Sequence, residues 1–144
     1  MYTMTEVELS EPALVALFGK LADALGHEQG ESTEKLSFTE AGLLLAVVAW
    51  HDGHAVGCGL LRREDAKRAE IKRMYSAQPG VGSAVLHYLE QKARTSGYTS
   101  VLASARIINS KALNFYLHKG FKKCPSYGKY RYSSQTISME KPLA

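Results

Sequence analysis

Hydrophobic positions along this chain change period several times, and each change predicts an element. Between Tyr2 and Leu9, Val7 and Leu9 alternate with Glu6 and Glu8, the two-residue period of a half-buried strand. Ser10 then offers an N-cap, and Pro12 is tolerated in a first helical turn. Leu14, Leu17, Phe18, Leu21 and Leu25 recur at three- and four-residue steps, so they share one face of a helix that Gly26 is placed to end. The polar, glycine-punctuated stretch 27–42 reads as a connection, with room for one short helix from Thr33. Residues 43–50 and 54–63 are apolar runs of strand length joined through Asp52-Gly53, a pair suited to a tight hairpin turn.

After a charged turn at 64–68, residues 69–76 form a further strand. Residues 80–96 read as a helix: Val81, Ala84, Val85, Tyr88, Leu89 and Ala93 fall on one face, with Gly97 as the stop. Residues 98–107 return to strand, 110–119 to a short helix closed by Gly120, and Phe121 onward to two final strands ending near Met139. Strand 69–76, the helix after it and strand 98–107 form a crossover, which makes those two strands parallel. The early hairpin is antiparallel. The expected fold is therefore α/β (α+β), one domain over residues 1–144, with a mixed sheet.

Composition narrows the class. At 144 residues, 45% hydrophobic and 22% charged, the chain has the size and balance of a soluble globular domain. No apolar run approaches the ~20 residues of a membrane helix, and nothing resembles a signal peptide. Cys58 and Cys124 are too few for a disulfide framework or a zinc site, so a cytoplasmic location is expected. His51 and His54 flank the hairpin turn without a third ligand, so no metal is expected. The formal net charge of +4 favours anionic ligands without choosing among them. Residues 122–132 interleave Lys122, Lys123, Lys129 and Arg131 with Tyr127, Tyr130 and Tyr132. That pattern fits an edge hairpin with solvated charges better than a surface that stacks nucleic acid.

Two stretches carry candidate chemistry. In Gln78-Pro79-Gly80-Val81-Gly82-Ser83, glycines let the backbone curl so that amide N–H groups converge where a helix begins. Those donors and the helix dipole suit a phosphate or pyrophosphate, although a Gly-x-Gly before a helix also serves as a plain tight turn. Downstream, Asn109-Ser110-Lys111-Ala112-Leu113-Asn114-Phe115-Tyr116 runs on to Gly120-Phe121. There, Asn109 or Ser110 can cap a helix whose aromatics pack inward, and the Tyr116 hydroxyl stands as either a packed or a functional group.

Taken together, the glycine turn and Asn-x-x-Ala-x-x-Phe-Tyr-x-x-x-Gly-Phe resemble the GNAT superfamily of N-acetyltransferases, over roughly residues 43–121. The resemblance implies a mostly antiparallel central sheet with a parallel strand-helix-strand crossover and helices on both faces. It implies acetyl-CoA as co-substrate and an amine on an unidentified acceptor, small molecule or protein, as nucleophile. It places the pyrophosphate on the amides of Gly80, Val81, Gly82 and Ser83, and the pantetheine arm along the backbone of Met74, Tyr75 and Ser76. An amide near Met74 would hold the thioester oxygen, and Asn109 would touch the arm. Glu70, in Ala69-Glu70-Ile71, matches the strand position of the base in the histone-acetylating branch; an ordinary strand-end carboxylate is the other reading. Tyr116 matches the tyrosine that protonates the leaving thiolate.

The turn departs from the family pattern. Ala77 stands where Arg or Gln is usual, three residues separate Ser76 from Gly80, and Pro79 has no amide donor. That leaves two alternatives open: a catalytically impaired coenzyme A-binding or interaction module of the same fold, and a basic nucleic-acid-binding domain. Pairing of copies through the last strands, giving a homodimer, is a further expectation.

Overall fold

Asp52 and Gly53 both adopt positive φ, 50° and 78°, the conformation of a two-residue hairpin turn. They join β2 (Leu43–His51) to β3 (His54–Arg63) in an antiparallel pair. The computed structural model describes residues 1–29 and 41–143. Around that hairpin the other strands assemble: β1 (Thr3–Val7), β4 (Arg68–Ser76), β5 (Ser100–Arg106), β6 (Lys122–Cys124) and β7 (Thr136–Pro142). The sheet order is β1-β2-β3-β4-β5-β7-β6, and only β4 and β5 run parallel.

The alternation along β2 sorts the sheet into two cores. Ala46 and Val48 join Leu14, Leu17 and Phe18 of helix α1 (Pro12–Gln29), with Cys58 and Leu60 of β3. Val47 and Ala49 join Val81, Val85 and Leu89 of helix α2 (Val81–Thr95), together with Tyr116 of helix α3 (Ser110–His118) and Phe121. So α1 covers one face while α2 and α3 cover the other. This is the mixed, mostly antiparallel fold with helices on both faces that the sequence resemblance implied.

Two glycines set how closely α2 sits. A Cβ on Gly57 would run into the Val81 side chain, and one on Gly59 would lie 2.9 Å from Leu89 Cδ1. Bare backbone at both positions lets α2 rest directly on β3, which fixes where its first turn ends up.

Several boundaries differ from those expected. Helix α1 runs through Gly26 to Gln29. One interior glycine costs a helix only about 1 kcal/mol, so the turns around it carry it along. The short helix expected from Thr33 lies outside the described residues. Strand β5 starts at Ser100 because Thr99 and Ser100 donate instead to the Lys67 carbonyl, at 2.8 and 3.3 Å. The chain end is not a simple edge hairpin. β7 lies between β5 and β6, and the segment joining β6 to β7 carries a 3-10 turn, Gly128–Tyr130, that folds inward. Tyr127 in that segment is 4% exposed, against 94% for Tyr132.

Candidate active site

Strands β4 and β5 pair for three residues only: Arg68 with Ser100, Ala69 with Val101, and Glu70 with Leu102. Beyond Glu70 they separate. The divergence coincides with a bulge in β4: Cys58 of β3 faces Tyr75 and Leu60 faces Lys72, so two residues of β4 stand against one of β3. Arg73 takes the irregular position with φ of 54°, a left-handed conformation that costs a non-glycine residue roughly 1–2 kcal/mol. Its guanidinium lies over the Phe18 ring, 5.4 Å from the centroid. The bulge also reverses facing, since Ile71 and Met74 pack toward α2 while Tyr75 packs toward α1.

The gap so opened is a cleft of about 570 Å³ reaching from α1 to α3. Glu70, Met74, Tyr75, Ser76, Gly82, Asn109 and Tyr116, all named from the sequence, line it together. Leu21, Ala24 and Leu25 form an apolar wall on the α1 side. Gly80, Val81 and Ser83 are not among the lining residues.

The start of α2 shows why. Gly80 is the N-cap, with φ of 86°. The Ala77 amide donates to the Val56 carbonyl at 2.8 Å, extending the sheet one residue past β4, and the Ser76 hydroxyl donates to the Gln78 carbonyl at 2.7 Å. Val81 is buried and its amide donates to the Gln78 carbonyl at 3.3 Å. The amides of Gly82 and Ser83 have no acceptor among the described residues, as expected of a first helical turn. A Cβ on Gly82 would stand 3.4 Å from the Phe115 ring, so glycine keeps the space between α2 and α3 open. Asn109 caps α3, its Oδ1 accepting from the Ala112 amide at 3.2 Å.

Glu70 is only 2% exposed, yet each of its carboxylate oxygens has a donor. Its Oε1 accepts from Arg62 Nη1 at 2.7 Å and its Oε2 from the Tyr127 hydroxyl at 2.8 Å. Arg62 also donates to Glu64 Oε1 at 2.8 Å, and Ser104 donates to the Tyr127 oxygen at 3.0 Å. Burial alone would lower the Arg62 guanidinium, but its bonds to Glu64 and Glu70 override that and hold it above its usual range. Burial, reinforced by the Glu70 charge, pushes the Tyr127 phenol far above the ordinary range.

Tyr116 is 6% exposed and sits edge-on between Phe115 and Phe121, with centroids 5.3 and 5.1 Å away. Burial first, and the Glu70 charge second, raise its phenol well above the usual value. The Glu70 charge thus reaches Tyr116 across the cleft, and the phenol stays protonated at neutral pH.

A model of the acetyltransferase (GNAT) family matches residues 17–121, well over half of the chain. The chain belongs to the GNAT family. An uncharacterized N-acetyltransferase of Bacillus subtilis, YsnE, is 28% identical over 101 residues, 66% of this chain and 67% of that protein. A Klebsiella pneumoniae protein assigned as an acyl-CoA N-acyltransferase superposes with a TM-score of 0.84 at 28% identity, over 100% of this chain and 99% of the other. The PaiA N-acetyltransferase of Thermoplasma acidophilum, solved in complex with coenzyme A, has the same fold, with a TM-score of 0.76 at 16% identity over 99% of each chain.

In this GNAT chain, three groups that sequence reasoning passed over surround Glu70, and one of them, Ser104, also lines the cleft. Arg62 was within reach: the turn after β3 sets a register in which Arg62 faces Glu70 directly. Ser104 and Tyr127 were not, since Tyr127 reaches Glu70, and Ser104 reaches Tyr127, only through the packing of β5 and of the segment before β7. The Tyr127 segment had been expected to form a solvated edge; burial of Tyr127 against Glu70 corrects that. Among the described residues, no helix is long and apolar enough to cross a membrane.

Proposed function

We propose that the protein transfers an acetyl group from acetyl-CoA to a primary amine by direct attack. One observation carries this reading: Glu70 and Tyr116 line a single cleft, opened where β4 and β5 part, with the unpartnered amides of α2 at its side. The free donors of Gly82 and Ser83 suit a diphosphate, and the apolar space between β4 and β5 suits a pantetheine arm. When bound, acetyl-CoA supplies an activated thioester.

The remaining chemistry falls to residues of this chain. A lysine-like amine has a reference pKa of about 10.4 and must lose a proton to attack. Glu70 accepts that proton, directly or through a water molecule. The backbone at Met74, freed from the regular ladder by the bulge, holds the carbonyl oxygen as charge builds on it. Tyr116 gives its hydroxyl hydrogen to the departing sulfur. Burial weakens Tyr116 as an acid, but the same burial makes a thiolate more basic, so the two groups stay matched.

The compact turn with Pro79, in which the Val81 amide is already engaged, favours one other reading: a coenzyme A-binding or interaction module that does not turn over. Two measurements separate the readings. Acetyl-CoA consumption is followed against an amine panel with a no-acceptor control, and acetyl-CoA binding is followed by calorimetry. Amine-dependent thiol release supports the transferase. Binding without release supports the module, and no binding removes both coenzyme A readings.

A further inference from the structure

We infer that Tyr127 is a positioning residue for Glu70, fixing its carboxylate against the cleft so that one lone pair is presented to the incoming amine or its water. The inference rests on the reading of Glu70 as the base in the proposed transfer.

Hydrogen-bond direction is set by the chain of donors. Ser104 donates to the Tyr127 oxygen, which leaves the phenolic hydrogen for Glu70 Oε2. Arg62 holds Oε1 from the opposite side. A carboxylate offers about four lone-pair sites, and these two donors use one on each oxygen. What remains is available from the cleft, which both Glu70 and Ser104 line. A glutamate side chain has three torsions, and a reacting base must be held within a few tenths of an ångström of its working position. Two anchors, one on each oxygen, supply that constraint.

The segment carrying Tyr127 is built for this contact. Gly128 has φ of 54°, and a Cβ there would stand 3.2 Å from both Glu64 carboxylate oxygens. The chain turns sharply against the Glu64–Arg62 pair and brings the Tyr127 tip to Glu70. The Tyr127 ring packs edge-on against Tyr130, 5.7 Å between centroids, and Tyr130 in turn lines the cleft. A phenylalanine would satisfy the ring packing, so the hydroxyl has no purpose other than its hydrogen bonds.

The test is a double-mutant cycle on the full-length protein with acetyl-CoA and the fastest acceptor among propylamine, an aliphatic diamine, glycinamide and a lysine-containing peptide. Tyr127→Phe is expected to lower kcat by about 10- to 100-fold, the size of a hydrogen bond to a charged group, with KM for acetyl-CoA unchanged. Glu70→Gln is expected to cost about 100-fold or more. In the Glu70→Gln background, Tyr127→Phe should have no further effect on kcat. A crystal structure of Tyr127→Phe should show the Glu70 carboxylate displaced or in more than one conformer. Equal losses from Tyr127→Phe in both backgrounds, or an undisturbed Glu70 carboxylate, would overturn the inference while leaving Glu70 as the base. Parental turnover in Glu70→Gln removes the base and the inference together, as does a protein that turns over none of the amines.

Discussion

Glu70 and Leu102 are the last residues of β4 and β5 to face one another, and the cleft opens at the next step along both strands. The position of Glu70 follows from this. It is still held in the sheet, so Arg62 of the neighbouring strand can reach it, yet it already borders open space. A carboxylate one pair earlier would be enclosed, and one beyond the bulge would face Cys58 or Gly57 in place of Arg62.

Replacing Tyr116 with phenylalanine keeps the ring between Phe115 and Phe121 and removes only the hydroxyl. Turnover should fall by about 100-fold, the scale of general acid catalysis, while calorimetric affinity for acetyl-CoA is unchanged. Parental turnover in this variant would remove the acid role.

Gly57→Ala and Gly19→Ala should move stability in opposite directions. The added methyl at Gly57 meets the Val81 side chain and should cost about 1–3 kcal/mol by overpacking, with weaker acetyl-CoA binding as the start of α2 is pushed away. Gly19 lies inside α1 with nothing within 4 Å of a new Cβ, so alanine there should add about 0.5–1 kcal/mol. Chemical denaturation of both variants checks the signs.

Stability should decline on the alkaline side. Burial raises the Cys58 thiol from 9.0 to about 12, and burial likewise raises the phenols of Tyr116 and Tyr127. Above pH 9 the unfolded chain releases protons that the native state retains, so unfolding becomes easier as pH rises. The Cys58 contribution is fully present below pH 9 and is lost progressively toward about 12. Urea midpoints measured from pH 7 to 11 should fall from about 9 upward; a flat profile would contradict the burial of these groups.

The two thiols should differ in reactivity. Cys58 is fully buried, with its Sγ 3.6 Å from the Arg73 carbonyl, whereas Cys124 is half-buried near the sheet edge. Mass spectrometry after brief iodoacetamide treatment of the native protein should find label on Cys124 and not on Cys58, with both labelled in denaturant.

Local pattern made most of the elements legible. The Asp52-Gly53 turn, the face of α2 and the Asn109 cap each depend on residues within a few positions of one another. What escaped depends on distant packing. Nothing near Tyr127 says that it will be buried, because Glu70, which accepts from its hydroxyl, and Ser104, which donates to it, lie on strands far earlier in the chain. The bulge at Arg73 escaped for another reason: arginine carries no signal for a left-handed conformation, which glycine would have announced. Even so, the change of facing between Ile71 and Tyr75 could be read once the two cores were known.

The supernumerary residue in β4 also stands as slack in the strand. Deleting Arg73 would leave Leu60–Lys72, Gly59–Met74 and Cys58–Tyr75 as an even pleat, with Met74 and Tyr75 each keeping its side. Met74 would still come over Gly59, where a Cβ would begin 2.7 Å from its sulfur. Such a single-codon deletion would spare every facing along the strand and remove only the irregularity at which β4 parts from β5, so its cost would fall on the width of the cleft.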